Sequence, residues 1–162
     1  MKFKQVLLAT IIAVLGFIFP VWNWGLIPAA IADVPSAVEL SNQNLADGVD
    51  QFLHKIPRGY YTIMKVGKAK QLTNGDRALF VDVREPSEYA SGHIKGAINI
   101  PLRSLTDNLD KIPRDRTVVL YCSSGYRTGI GVASLQLLGY DNVKGFPPSI
   151  KGWKEAGEIL EK

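Results

Sequence analysis

The only cysteine of this 162-residue chain lies at the start of a small-residue turn that contains glycine. Cys122 follows the β-branched, apolar residues 118–121 and precedes Ser123-Ser124-Gly125, after which residues 129–138 are again mostly apolar. This order predicts a strand, a loop and a helix, with the thiol at the end of the strand and at the beginning of the helix. Backbone N–H groups without partners point into such a loop and favour a thiolate. They can lower a cysteine pKa from about 8.5 to roughly 3.5–7.5.

A lone cysteine after an apolar run can also be a small, inert core residue. The flanking residues argue against that interpretation here. Ser123, Ser124 and Gly125 are small and polar, unlike a core segment, and Arg127 adds a fixed positive charge. We therefore interpret Cys122 as a nucleophile in an anion-binding loop.

The N-terminus has the composition of an export signal. Lys2 and Lys4 are followed by residues 5–32, which carry no charge and end in the small-residue sequence Ala30-Ile31-Ala32. This pattern predicts cleavage before Asp33. Export to an oxidising compartment ordinarily favours disulfides, but one thiol cannot form a disulfide within the chain.

The alternative to a cleaved signal is a membrane anchor. Residues 5–32 are longer than the roughly 20 apolar residues that cross a bilayer, so they could tether the protein to a membrane. Trp22 and Trp24 would then lie at the membrane interface, whereas Pro20 and Pro28 would interrupt a continuous helix. Both alternatives place the folded part in an exported compartment, which is periplasmic, lumenal or extracellular.

Composition predicts one folded domain after the leader. We divide the chain into a signal or anchor at 1–32, a helical extension at 33–59 and a domain at 60–162. The segment 1–32 contributes two lysines, Lys2 and Lys4, to the net charge of +4.

The charge pattern does not predict nucleic acid as a partner, because there is no basic cluster with interleaved aromatic residues. No His/Cys cluster predicts a metal site.

Strand and helix patterns alternate along the domain. Strands are predicted at 60–64, 78–83, 94–100 and 117–121 and from Val143, and helices at 66–72, from 86, at 102–112, at 129–138 and at 149–160. Because hairpin signals are absent, the pattern favours an α/β fold with a mostly parallel sheet of about five short strands and helices on both faces. Ligands bind beyond the carboxyl ends of such strands, where Cys122 and the residues 82–84 lie.

The extension is predicted to form an amphipathic helix that starts near Ser36. Apolar residues fall on one helical face, which predicts that the helix docks on the domain. A groove for a partner protein is the alternative. The residues of this stripe are Leu45, Val49, Phe52, Leu53 and Ile56.

Three segments make residues 60–156 closely resemble the rhodanese-like family. The first runs from Asp82-Val83-Arg84-Glu85 through Gly92-His93 to Ile100-Pro101, the second is Cys122-Ser123-Ser124-Gly125-Tyr126-Arg127-Thr128, and the third is Gly139-Tyr140-Asp141-Asn142-Val143 followed by Trp153. They occur in the order and spacing of that family.

The resemblance implies a three-layer rhodanese-like fold and a sulfurtransferase. The Cys122 thiolate would attack a small anionic sulfur donor such as thiosulfate or a polysulfide, become a persulfide, and pass the outer sulfur to cyanide or a thiol. The N–H groups of the loop would hold both the thiolate and the substrate. The loop residues are Ser123, Ser124, Gly125, Tyr126, Arg127 and Thr128. The resemblance implies no metal or organic cofactor, and the sequence names no protein partner.

Four other polar residues of the matching segments are expected to support the site. Asp82 and Arg84 are expected to brace the loop rather than to react. Arg127 either faces the substrate anion or pairs with a carboxylate such as Glu88, and the family resemblance favours the pairing. His93 is expected to be an ordered structural residue, because a preformed thiolate needs no general base.

The chain departs from the family pattern ahead of Trp153. Pro147-Pro148-Ser149 stands where a Gly-Gly pair is usual, which stiffens the segment and removes two N–H donors. Gly129 and Gly131 weaken the helix after the loop. Both departures affect substrate choice and rate more than the fold.

Two other functions remain open from the sequence. A cysteine phosphatase also uses a Cys…Arg loop, but Cys122 and Arg127 enclose one residue fewer than the tyrosine-phosphatase pattern. The shorter loop suits one sulfur better than a phosphate. A non-catalytic module that senses sulfide or redox state, or binds a partner, could use the same fold.

Overall fold

The computed structural model describes residues 37–75 and 77–162. The predicted leader, its cleavage site and Ser36 lie outside these residues. The chain divides into two compact units, Met1–Asn42 and Gln43–Lys162, and every element below except the first helix lies wholly within the second. Our boundaries at 32/33 and 59/60 remain predictions.

Helices and strands alternate through the second unit. In chain order they are α1 Ala37–Lys55, α2 Val66–Thr73, β1 Ala78–Asp82, α3 Pro86–Ala90, β2 Ile98–Asn99, two 3-10 helices at Leu102–Ser104 and Thr106–Lys111, β3 Thr117–Tyr121, α4 Tyr126–Leu137, β4 Val143–Gly145 and α5 Ser149–Glu155. Among the helices of the described part of the chain, none is long and apolar enough to cross a membrane.

The four strands form a parallel sheet in the order β2-β1-β3-β4. The central strands are in register, with Asp82 opposite Tyr121, so their carboxyl ends meet at one edge. This confirms the predicted α/β fold with a parallel sheet. It also places the residues that follow β1 beside the cysteine that follows β3.

An apolar core covers each face of the sheet. Alternate residues of a strand point to opposite faces, so Val81 and Leu120 join one core while Phe80 and Val119 join the other. Because both faces are covered, the central strands have no solvent-facing side, which explains the apolar runs at 78–81 and 118–121. The result is the predicted three-layer arrangement.

The predicted first strand at 60–64 is reduced to a single bridge. Thr62 pairs with Gly145 in parallel fashion, and the N–H of Ile63 donates to the Gly145 carbonyl at 2.7 Å. Tyr60 and Tyr61 have φ of 47° and 56°, which is left-handed backbone and not strand geometry. The sheet therefore has four strands instead of about five.

The strand predicted at 94–100 was too long. Only Ile98–Asn99 pairs with β1. Left-handed Gly96, at φ 71°, turns the chain just before it, and His93 pairs instead with Glu161 in an isolated antiparallel bridge. Turns at glycine thus replace the first half of the predicted strand.

Two predicted helices differ from the structure. The segment 102–112 forms two 3-10 helices, and Asn108 within the second has non-helical backbone angles. The last helix ends at Glu155 because Gly157 adopts φ 74° and the N–H of Glu158 bonds back to the Trp153 carbonyl. Such a left-handed glycine is a common helix terminator.

Helix α1 docks through less of its stripe than we predicted. Leu45 and Leu53 are 66% and 56% exposed, so the full stripe is not buried. Phe52 is partly buried and stacks on Tyr61 with ring centroids 6.5 Å apart. Among the stripe residues, this contact lies in the C-terminal part of the helix.

Candidate active site

Cys122 lies directly after β3 and is 1% exposed. Its Sγ accepts a hydrogen bond from the N–H of Gly125 at 3.1 Å. The hydroxyl of Ser149 lies 3.8 Å from the same sulfur. The thiol therefore sits at the base of the loop that the sequence predicted, enclosed by polar donors.

The loop is fixed from outside by the first turn of α5. The N–H groups of Ile150 and Lys151 donate to the carbonyls of Cys122 and Ser123 at 3.1 and 3.0 Å. The first N–H groups of a helix have no partners within it, so these bonds satisfy both elements. With its carbonyls held outward, the loop can direct N–H groups toward the sulfur.

Hydrogen bonds lower the pKa of the Cys122 thiol below its ordinary value. Burial of the sulfur raises the pKa, but the hydroxyl of Thr128 and the N–H groups of Thr128, Ser124 and Gly125 lower it by more. Each of these donors stabilises the thiolate over the thiol. The loop therefore favours a nucleophilic sulfur.

Gly125 is required where the loop turns against the proline segment. It has φ 99°, and a Cβ at this position would lie 2.7 Å from the carbonyl oxygen of Pro147. Neither the backbone angle nor the space admits a side chain. Pro147 therefore lies directly against the cysteine loop.

Ser149 is a site residue that sequence reasoning missed. It is fully buried, and its backbone has φ 54°. Its hydroxyl accepts the N–H of Cys122 at 3.1 Å and donates to the Phe146 carbonyl at 2.9 Å. No spacing in the sequence marks this serine, because the contact joins residues 27 positions apart.

Arg127 pairs with Glu88, which raises the pKa of its guanidinium most, and Cys122 raises it further. Its two terminal nitrogens donate to the two carboxylate oxygens at 2.6 and 2.8 Å. The Ser123 hydroxyl donates to Glu88 at 2.9 Å. Of the two positions the sequence allowed for Arg127, the structure has the carboxylate pair, which ties the loop to α3.

The carboxylate of Glu88 is held in its ionised form. The hydrogen bond from Arg127 lowers its pKa most, burial opposes this, and bonds from Ser123 and the N–H of Glu85 lower it further, to about 2. Glu88 also closes a capping box at the beginning of α3. One side chain thus caps a helix and braces the cysteine loop.

We expect Glu88→Gln to destabilise the protein at neutral pH and to loosen the loop. Because the folded-state pKa of Glu88 is lowered, its stabilisation is present above about pH 4.5 and is lost as the pH falls toward about 2. The difference in melting temperature between wild type and variant should therefore narrow over that window. Glu155→Gln, which removes an exposed carboxylate 4.0 Å from Lys151, is the matched control. A difference that stays constant with pH would contradict this role.

Asp82 and Arg84 form a buried pair beside the loop. Arg84 Nη2 lies 2.6 Å from Asp82 Oδ2 and also donates to the Gly92 carbonyl at 2.8 Å. The amide of Asn99, another residue that the sequence did not single out, donates to the carbonyls of both residues at 2.9 Å. The pair fixes the chain after β1, where the N–H of Val83 bonds to the Tyr121 carbonyl at 2.9 Å.

The remaining predicted residues lie at the edge of the site or away from it. His93 stacks on Tyr89 with ring centroids 3.8 Å apart, and its Nδ1 lies 3.2 Å from the Tyr89 carbonyl oxygen. Tyr126, the first residue of α4, is 85% exposed at the rim of the loop. Within residues 37–75 and 77–162, no three His, Cys, Asp or Glu side chains are grouped as a metal site requires.

The sequence is similar to those of known proteins over the part of the chain that contains this site. The family model of the Rhodanese-like domain matches residues 65–156. A sulfurtransferase of Allochromatium vinosum is 35% identical over 89 residues, which cover 55% of this chain and 83% of that protein. A thiosulfate:glutathione sulfurtransferase of Saccharomyces cerevisiae is 34% identical over 92 residues, covering 49% of this chain and 66% of that protein.

A solved structure of a sulfurtransferase has a similar fold. The human single-domain sulfurtransferase superposes with a TM-score of 0.54 at 26% identity, covering 58% of this chain and 95% of the human one. The similarity thus spans the sheet, the cysteine loop and α5. It does not extend over the whole of this chain.

Proposed function

The chain belongs to the rhodanese-like family, and from this premise we propose that it is a sulfurtransferase that carries a sulfane sulfur on Cys122. The observation that carries the proposal is the Cys122 sulfur, which is buried, accepts the Gly125 N–H at 3.1 Å and has a lowered pKa. The sulfurtransferases among its relatives support the same reaction class.

In the first half-reaction the Cys122 thiolate attacks the outer sulfur of thiosulfate or of a polysulfide. A new bond forms between Sγ and that sulfur, and the bond to the leaving group breaks. The electron pair leaves with the donor fragment, which is sulfite when the donor is thiosulfate. Such exchange at sulfur depends on the thiolate fraction and on the quality of the leaving group.

In the second half-reaction an acceptor attacks the outer sulfur of the persulfide. Cyanide carbon or a thiolate sulfur forms the new bond, the bond to Sγ breaks, and its electron pair restores the Cys122 thiolate. Negative charge is present on or beside the loop throughout. Oriented N–H groups such as those of Ser124 and Gly125 stabilise this charge without having to reorganise.

Transfer of sulfur from thiosulfate to cyanide tests the proposal. We expect thiocyanate and sulfite to form in equal amounts, and Cys122→Ser to form neither. A folded wild-type protein that turns over neither thiosulfate nor polysulfide would favour a non-catalytic sensing or binding module instead.

Phosphate esters are expected to be poor substrates. Arg127 donates to both oxygens of Glu88 at 2.6 and 2.8 Å and to the Ser123 hydroxyl at 2.9 Å, so most of its N–H donors are already engaged. We expect hydrolysis of an aryl phosphate to be negligible beside sulfur transfer. Hydrolysis that exceeds sulfur transfer and is lost in Cys122→Ser would make the protein a cysteine phosphatase.

We further propose that the protein is exported and that its leader is removed before Asp33. Lys2, Lys4 and the uncharged residues 5–32, which end in Ala30-Ile31-Ala32, support this. Mass spectrometry of protein recovered from the native membrane and soluble fractions should find Asp33 at the N-terminus. An intact N-terminus confined to the membrane fraction would show residues 5–32 to be an anchor.

A further inference from the structure

An apolar cavity of about 380 Å³ lies next to the cysteine loop. Its volume is within the range of about 300–1,000 Å³ found for small-molecule sites. None of its thirteen lining residues carries a charge. The sulfurtransfer chemistry described above makes no use of this space.

The cavity adjoins the groups that hold the sulfur. Gly125, whose N–H donates to Sγ at 3.1 Å, and Thr128, whose hydroxyl lowers the Cys122 pKa, both contribute to its wall. Pro147, which lies against Gly125, lines it as well. A molecule in the cavity would thus have one end at the rim of the loop.

Another part of the lining comes from the chain that precedes the family match. Six lining residues fall within 52–62, ahead of residue 65 where the match begins. Phe52, Leu53 and Ile56 of this group are contributed by α1 and the residue after it, and Tyr61 stacks on Phe52. The extension therefore builds a wall that the matched domain does not itself contain.

We propose that the cavity binds the chain of the sulfur acceptor, and that the acceptor is a thiol with an uncharged aliphatic chain. The inference rests on the proposed sulfurtransferase activity. An apolar lining stabilises a chain in proportion to the area it buries. The same lining disfavours an acceptor with free carboxylates, because burying an unpaired charge is costly.

The chemistry at the loop is the second half-reaction with a thiol as acceptor. The thiol loses its proton to solvent, and its thiolate attacks the outer sulfur of the Cys122 persulfide. The bond between Sγ and the outer sulfur breaks, and its electron pair returns to Cys122. The product is the hydropersulfide of the acceptor, whose chain occupies the cavity.

A chain-length series tests the proposal on the full-length protein. Wild type is loaded with sulfur from thiosulfate and mixed with 2-mercaptoethanol, 4-mercaptobutanol or 6-mercaptohexanol, and the rate of persulfide loss is measured. Each rate is divided by that of the same thiol with a small aromatic disulfide, which corrects for intrinsic reactivity. We expect about a two- to fourfold gain for each added methylene.

Variants of the lining residues show whether the dependence of the rate on chain length arises in the cavity. Ala133→Phe fills the cavity and should lower the ratio of the hexanol to the ethanol rate at least about threefold. Leu138→Phe, on an exposed side chain at the end of the same helix and outside the lining, is its matched control and should keep the wild-type ratio. The ratio does not depend on the fraction of active protein.

A second variant covers the event that Ala133→Phe does not fold. Leu53→Asp places a charge in the lining at a side chain that is 56% exposed, and Leu45→Asp, 66% exposed on the same helix, is its control. A rate that does not change with chain length, or a ratio that is the same in wild type and the folded lining variants, overturns the proposal. Failure to load sulfur at all, with no transfer to cyanide, would instead overturn the proposed function.

Discussion

Cys122→Ser is expected to lose sulfur transfer by a factor on the order of 10³ or more, as when other enzymes lose a nucleophile. A serine hydroxyl ionises far less than a thiol at neutral pH, so the N–H groups around it would have no anion to hold. The replacement is nearly isosteric at a buried position. Its effect on the free energy of unfolding should therefore stay within about 1 kcal/mol.

Steady-state transfer from thiosulfate to cyanide measures the loss, and chemical denaturation measures the stability. Ser134→Ala is the matched control, because Ser134 lies on α4 and its hydroxyl donates to the Ile130 carbonyl of the same helix, away from the cysteine. Substantial transfer by a folded Cys122→Ser protein would show that sulfur passes directly between substrates without the cysteine.

Asp82→Ala should have the largest effect on stability. The variant leaves the guanidinium of Arg84, a residue only 4% exposed, buried without its carboxylate partner. Breaking one side of a buried ion pair typically costs about 3–5 kcal/mol. The chain after β1 should loosen as well, and the cysteine loop beside it should lose activity together with stability.

Urea denaturation of three proteins separates the charge from the packing. We expect the double variant Asp82→Ala/Arg84→Met to be more stable than Asp82→Ala, since it removes the unpaired charge and keeps a long apolar side chain. Asp82→Ala with wild-type stability would contradict a structural role for the pair. If the double variant is no more stable than Asp82→Ala, the lost stability comes from the hydrogen bond that the Arg84 N–H donates to the Asp82 carboxylate at 2.9 Å.

The parts of the fold that rest on local pattern could be predicted from the sequence. β3 occupies the predicted residues 117–121, and β1 ends one residue before its predicted end. Both are buried on two faces, which is why residues 78–81 and 118–121 form continuous apolar runs. The place of Cys122 at the end of β3, and the loop N–H groups that follow it, agree with the strand–loop–helix order of the sequence.

The parts that rest on glycine geometry or on long-range contacts could not be predicted. Gly96 breaks the strand predicted before Ile98 because its left-handed backbone turns the chain, and composition alone did not show this. Ser149 reaches Cys122 only after β4 and α5 have packed beside the loop. Its strained backbone and its contact are properties of the folded chain, which no spacing in the sequence reveals.

Helix α1 shows that an apolar stripe predicts a helix but not how much of the stripe is buried. Its apolar stripe correctly predicts a helix, yet Leu45 remains exposed while Phe52 meets Tyr61. Periodicity identifies the face of a helix that is apolar. It does not say how much of that face finds a partner, which here leaves a cavity at the cysteine loop.

The intact mass of the protein after exposure to thiosulfate or polysulfide shows directly whether Cys122 carries sulfur. We expect wild type to gain the mass of one sulfur atom, to lose it again on treatment with cyanide or dithiothreitol, and to gain none after Cys122→Ser. Fragmentation should place the added sulfur on the peptide that contains Cys122. A folded wild-type protein that gains no sulfur from either donor would show that Cys122 does not carry sulfur in transfer.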